Sequence, residues 1–240
     1  MTKQILFISF LALTGYSQAA ENLDAVYRDA VNHPGRSSAE RDRDASRKPL
    51  AILPFTSITP GMTVLDLGAG GGYTTKLVAR VVGDEGIVYA QALSADTGLD
   101  NVAALPPHPL FRLRSVAHEV GLGSSQADAV LMFFTLHDMY LDNNIDKTRL
   151  YRDIYSLLKP GGVLVILDNA GVEGSGLSQT RSTHRIDRRF IIEELAKTKF
   201  RFDGESNVLR NPDDDVTRSW GSYSPRGHHD RFALRFRKPL

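Results

Sequence analysis

From Met62 onward the chain alternates between two hydrophobic patterns. Short, nearly unbroken apolar runs are MTVLDL (62–67), GIVYAQAL (86–93), ADAVLMFFTL (127–136) and GGVLVILDN (161–169). They are the right length for strands, and their continuity predicts burial on both faces. Between them, apolar residues recur at helical spacing. GYTTKLVARVVG (72–83) puts Leu77, Val78, Val81 and Val82 on one face and closes on Gly83. DKTRLYRDIYSLLKPGG (146–162) does the same with Leu150, Ile154, Leu157 and Leu158, with Pro160-Gly161 as the expected stop. RRFIIEELAKTKF (188–200) is another amphipathic helix, and FRLRSVAHEV (111–120) a weaker strand. FRFDGESNVL (200–209) and DRFALRFRKP (230–239) alternate, which predicts antiparallel edge strands.

Ahead of this region, NLDAVYRDAVNHPGR (22–36) predicts a helix stopped by Pro34-Gly35. SSAERDRDASRKPLAILPF (37–55) predicts a second, with Ser37 or Ser38 as N-cap, Glu40 close behind, and a kink or end at Pro49 and Pro54. Strands separated by helices make this an α/β protein: a seven-stranded, mostly parallel sheet with helices on both faces and an antiparallel last strand. That domain covers residues 58–240, after a helical segment at 20–57.

Composition narrows the function only slightly. Of 240 residues, 42% are apolar and 24% charged, with a formal net charge of +1, so no general electrostatic attraction to nucleic acid is expected. The first nineteen residues stand apart: Lys3, the apolar run ILFISFLALTG and the small-residue site Ser17-x-Ala19 have the order of a cleavable signal peptide. The expected mature chain is exported, with the periplasm as the address that leader implies, and has no membrane span after its removal. There is no cysteine, so it must be stable without disulfides.

The densest chemistry lies in VLDLGAGGGYTT (64–75), a glycine loop at the first strand-to-helix turn. In an open α/β sheet, ligands bind at such turns, beyond the carboxyl ends of the strands. A P-loop requires a lysine after the last glycine, and Gly72 is followed by Tyr73 and Thr74. A dinucleotide fingerprint requires a third glycine where Tyr73 stands, and Asp66 would repel a pyrophosphate, which leaves an NAD(P)-dependent oxidoreductase as the weaker reading. A carboxylate two residues before the loop suits a cationic ligand.

The order of apolar strand, Asp66 and G-x-G-x-G at 68, 70 and 72 resembles motif I of the class I S-adenosylmethionine-dependent methyltransferases. KPGGVLVILD (159–168), HRID (184–187) before a helix, and RNPDDDVTRS with DRFALRFRKP extend the likeness to a subgroup of exported bacterial methyltransferases of undefined substrate. The resemblance implies S-adenosylmethionine as methyl donor, held by Asp66, Gly68, Ala69, Gly70 and Gly72, with Tyr73 beside its methionine part. It places Gln91 at the ribose, where the superfamily usually has an acidic residue; Asp96 is a possible substitute. The implied reaction is methyl transfer to a small molecule, and the rival is a non-catalytic binding protein on the same fold.

Groups ending the fourth and fifth strands face the methyl in this architecture. FFTLHDMY (133–140) offers His137 as a general base, with Asp138 or Tyr140 orienting it or the acceptor; the competing roles are a helix cap for His137 and adenine packing for Tyr140. Asp168 is an acceptor or cation contact, or else a turn residue. His184 could reach the site from a lid, while Asp187 is more simply an N-cap. Arg43 and Arg47, four apart, either cover the cofactor carboxylate or pair with Asp42 and Asp44; a solvated helix face is the favoured reading. His228, His229 and Asp230 are adjacent on a strand and point to opposite faces, so no metal site is expected.

Overall fold

The computed structural model describes residues 21–92, 110–112, 124–222 and 227–240. The leader segment, Asp96 and most of the weak strand at 111–120 lie outside them.

The apolar runs become the centre of a seven-stranded sheet: β1 (Thr63–Leu67), β2 (Ile87–Ala92), β3 (Leu110–Arg112), β4 (Ala127–Phe133), β5 (Leu158–Asn169), β6 (Arg201–Ser206) and β7 (Arg231–Arg237). Their order is β3-β2-β1-β4-β5-β7-β6. Strands β1 to β5 are parallel, and β7 is antiparallel to both β5 and β6. The last strand is thus antiparallel as its pattern predicts, but it is not an edge. Phe232, Leu234 and Phe236 bury one face of β7 in the core. On its other face Arg235 and Arg237 both donate to Asp203 of β6, which lets charged residues occupy an internal strand.

The helices are α1 (21–32), α2 (Ser38–Arg41), α3 (Asp44–Arg47), α4 (Pro49–Thr56), α5 (Tyr73–Val82), α6 (Leu136–Leu141), α7 (Lys147–Leu157), α8 (Thr180–Thr183) and α9 (Arg188–Ala196). Alternate side chains of each strand feed two core layers. Leu65, Leu67, Val130, Met132, Leu164 and Ile166 pack under α6, α7 and α9. Val64, Val88, Ala129, Leu131, Val163 and Val165 pack under α1, α4 and α5.

Two sequence expectations are corrected. The single helix expected at 37–55 is three. Ser37 caps α2 in a full capping box with Glu40, as expected. Lys48, however, turns left-handed at φ 45°, because a residue before proline is pushed out of the helical region, and Pro49 then opens α4. The helix over 147–157 ends three residues before Pro160: Leu158 already pairs with Ala127 in β5, and the Pro160-Gly161 turn falls at a register shift between β4 and β5.

The chain after β6 is held by Arg185 and Asp214, paired at 2.7 Å with both side chains fully buried. Breaking one side of such a pair leaves a stranded charge. Arg185→Met is therefore expected to lower unfolding stability by about 3–5 kcal/mol, measured by denaturant titration.

Candidate functional site

At the carboxyl end of β1 the chain turns through the glycine loop into α5. Gly68, Gly70 and Gly72 have φ of 78°, 53° and 77°, the left-handed region that glycine adopts without strain. Gly68 is also a close approach: a Cβ there would stand 2.2 Å from Thr135 Oγ1, at the end of β4. The Ala69 N–H donates to the Gln91 carbonyl at 2.8 Å, and the Gly72 N–H to the Ala69 carbonyl at 3.0 Å, so the loop is pinned to β2.

Asp66 is buried and accepts from the Thr75 hydroxyl at 2.6 Å. Burial pushes its pKa up to about 6, against the opposing pull of the Thr75 bond and the Arg47 charge. Gln91 is buried at the end of β2, and its Oε1 finds no hydrogen-bond partner among the described residues. Thr135 Oγ1, beside Gly68, is in the same state. Buried polar atoms without partners are uncommon, and these two flank the glycine loop.

Tyr73, the first residue of α5, is buried, and its hydroxyl donates to Asp44 Oδ1 at 2.6 Å. Asp44 also receives both terminal nitrogens of Arg36, at 2.6 and 2.7 Å. The segment before β1 is thereby tied to the glycine-loop helix, and Lys76–Glu40 at 2.9 Å adds a second tie. Neither Arg43 nor Arg47 pairs with Asp42 or Asp44. Instead their guanidinium groups lie 5.4 and 5.1 Å from the centre of the Tyr73 ring, and Arg47 lies 4.4 Å over Phe134. The solvated-face reading of Arg47 is thus overturned: it is half-buried and lines a cavity with Ile52, Leu53, Tyr73, Phe134 and Leu167.

At the ends of β4 and β5, His137 and Asp168 form a buried pair. The ring Nδ1 is 2.8 Å from Asp168 Oδ1, and the His137 backbone N–H donates to Oδ2 at 3.1 Å. Asp168 thus both orients the imidazole and ties down the first turn of α6. On the ring's other side Nε2 is 3.4 Å from Asp138 Oδ1. Burial alone would pull the imidazole pKa down, but the charges of Asp168 and Asp138 and the Asp168 bond together hold it above its usual value. His184, left-handed at φ 51° and exposed, meets His137 edge to face at 6.1 Å. Asp187 is the N-cap of α9, accepting from the Arg189 N–H.

Tyr140 does not join this pair. Its hydroxyl bonds that of Tyr151 at 3.0 Å, and its ring packs on Phe190 within the α6–α7–α9 layer. Its hydroxyl and its ring are thus taken up inside that layer rather than by the base. His229 bonds the Trp220 carbonyl and Asp230 holds Arg210. Thr135 and Phe134 carry no motif in the sequence. Phe134 has φ 59°, a strained conformation for a large side chain, and its N–H donates to Leu167.

Residues 65–166 match the family of methyltransferase domains. The solved S-adenosylmethionine-dependent methyltransferase of Aquifex aeolicus superposes with a TM-score of 0.59 at 18% identity, covering 82% of this chain and 92% of that one. The fold is that of the class I methyltransferases. S-adenosylmethionine is the methyl donor of that domain and fold. Among curated relatives, the 2-phytyl-1,4-naphtoquinone methyltransferase of Thermosynechococcus vestitus is 35% identical over 134 residues, 53% of this chain and 55% of its own length. The arsenite methyltransferase of Halobacterium salinarum is 30% identical over 118 residues, 48% of this chain and 29% of its own. The chain therefore spans at most about half the length of these relatives.

Proposed function

We propose that this protein transfers the methyl group of S-adenosylmethionine to a small-molecule acceptor. The observation that carries the reading is the buried, unpartnered Gln91 Oε1 at the end of β2, beyond the loop that Ala69 pins to the same residue. An amide oxygen accepts from a ribose hydroxyl, in place of the carboxylate more usual there. Gly68, Ala69, Gly70 and Gly72 would let the backbone approach the donor, Asp66 would favour its ammonium group, and Tyr73 would flank its methionine part. When bound, S-adenosylmethionine supplies an electrophilic methyl group on a sulfonium. His137, oriented by Asp168, would take the proton that the acceptor loses. The small-molecule character of the acceptor is supported by relatives named for quinone and arsenite methylation.

Export belongs to the same proposal. The leader pattern of residues 1–19 supports a periplasmic mature chain with its methyltransferase-type domain at 58–240, and the intact mass of the purified protein tests the cleavage.

Asp66 gives a test of the cofactor site. Its folded pKa is raised from 3.8 to about 6, so the neutral acid is the form that folding favours. Stability from this group is full below about pH 4 and lost as pH rises through 6, a swing of about 3 kcal/mol. A cationic ligand prefers the ionised form. Affinity for S-adenosylmethionine is therefore expected to fall as pH drops below about 6, by calorimetric titration from pH 5 to 8. Asp66→Asn should flatten that profile and weaken binding at pH 7 without lowering Tm. A pH-independent affinity in the wild type would remove Asp66 from the site.

A further inference from the structure

We infer that Arg47, backed by Arg43 and Arg231, is a receptor for a ligand carboxylate at the mouth of the cavity, supplied by the segment that precedes β1. The inference rests on the methyl-transfer reading only for the identity of one of the two ligands tested below.

Four guanidinium groups converge on two rings. Arg36, Arg43 and Arg47 lie over Tyr73, while Arg47 and Arg231 lie over Phe134 at 4.4 and 5.1 Å. Arg231 is buried and committed: it donates to the Ser46 carbonyl at 2.7 Å and to Asn169 at 3.4 Å. Arg47 is different. Among the described residues its guanidinium has ring contacts but no hydrogen bond and no ion pair. The nearest candidates for a counter-ion are unavailable. Both oxygens of Asp44 are taken by Arg36, and one also by Tyr73. Asp66 is held by Thr75 and feels Arg47 only through the field between them.

A half-buried cation among like charges is unfavourable unless something answers it. Burial and the charges of Arg43 and Arg231 push the Arg47 pKa down to about 9, which still leaves it charged at neutral pH. The chain nevertheless invests in holding it there. Phe134 keeps a strained left-handed backbone, and its ring lies against both Arg47 and Arg231. Ser46, one residue before Arg47, is clamped from β7 by Arg231, and Lys48, one residue after, donates to the Val208 carbonyl at 2.7 Å. The rest of the cavity wall is mainly apolar, with Pro49, Ile52, Leu53, Phe133 and Leu167. A planar, fixed guanidinium at an apolar mouth is suited to a carboxylate, which it can meet with two parallel hydrogen bonds. That carboxylate has two possible sources, an acidic acceptor or the aminoacyl end of the donor.

The test compares full-length wild type with Arg47→Gln and Arg47→Lys by calorimetric titration at pH 7. S-adenosylhomocysteine is set against 5′-methylthioadenosine, which lacks the carboxylate, and sodium benzoate against benzamide. A receptor for the donor's carboxylate predicts that Arg47→Gln weakens S-adenosylhomocysteine about tenfold or more and leaves 5′-methylthioadenosine unchanged. A receptor for an acidic acceptor predicts that benzoate binding, but not benzamide binding, is lost. Arg47→Lys should retain part of either effect, because it keeps the charge without the planar fork. Arg47→Gln is expected to fold with Tm no lower than the wild type, since it removes an unanswered cation. The inference is overturned if both ligand pairs keep the same affinity ratio in all three proteins. Should both nucleosides fail to bind the wild type, the methyl-transfer reading falls, and the benzoate pair still decides the carboxylate site.

Discussion

Replacing His137 with glutamine is expected to lower kcat by about 10²–10⁴-fold while leaving S-adenosylmethionine affinity within a factor of two. The expectation rests on geometry. His137 is buried, its Nδ1 is fixed by Asp168 at 2.8 Å, and Nε2 is the nitrogen left to take a proton. The two flanking carboxylates hold the imidazole pKa above its ordinary value. A base must be neutral to act, so kcat is expected to rise with pH through a midpoint above 6.5. The stability sign runs the other way: the charged pair stabilises the fold fully below 6.5, and that contribution is lost as pH rises through the raised value. Asp168→Asn removes the nearer carboxylate. It should shift the kcat midpoint downward and lose a large part of the rate, marking Asp168 as a positioning residue. A purely structural Asp168 would lower Tm and leave the midpoint where it was.

Gly68→Ala is the second large effect. The new Cβ would sit 2.2 Å from Thr135 Oγ1 and 2.6 Å from its Cβ, on a backbone at φ 78°. Strain and overlap together are expected to cost about 2–4 kcal/mol, and relief by moving the loop would displace the groups that face the donor. Gly70→Ala is the comparator. It shares the left-handed φ, but its Cβ would meet nothing within 4 Å. Denaturant unfolding should therefore show Gly68→Ala as clearly the less stable of the two. Equal losses would mean that the approach of Gly68 to β4 has no energetic weight.

The strands were legible in the sequence because a parallel sheet covered on both faces needs continuous apolar runs, and 64–67, 129–133 and 163–167 supply them. The loop was legible because its glycines are demanded by backbone geometry that a sequence displays directly. The helical segment before β1 was less so. Its breaks depend on Lys48 going left-handed ahead of Pro49, while its spacing alone suggested one continuous face. The position of β7 was hidden because an internal strand with arginines requires partners, and Asp203 lies more than thirty residues earlier on another strand. In the site, His137 meets its neighbour Asp138 at 3.4 Å, but its short bond goes to Asp168, thirty-one residues away, while Tyr140 bonds Tyr151. Pairings across strand ends follow from the β4–β5 register, which no local spacing encodes. Phe134 and Thr135 were invisible for the same reason: their importance lies in a strained φ and a close approach to Gly68, not in residue type.

All of these roles depend on the ligand held above the glycine loop. The direct measurement is calorimetric titration of the full chain, at pH 7.5, with S-adenosylmethionine and separately with NAD⁺ and NADH. Saturable one-site binding of S-adenosylmethionine, weakened by Asp66→Asn and absent for both nicotinamide dinucleotides, is the predicted result. Binding of a dinucleotide with no heat from S-adenosylmethionine would contradict the account.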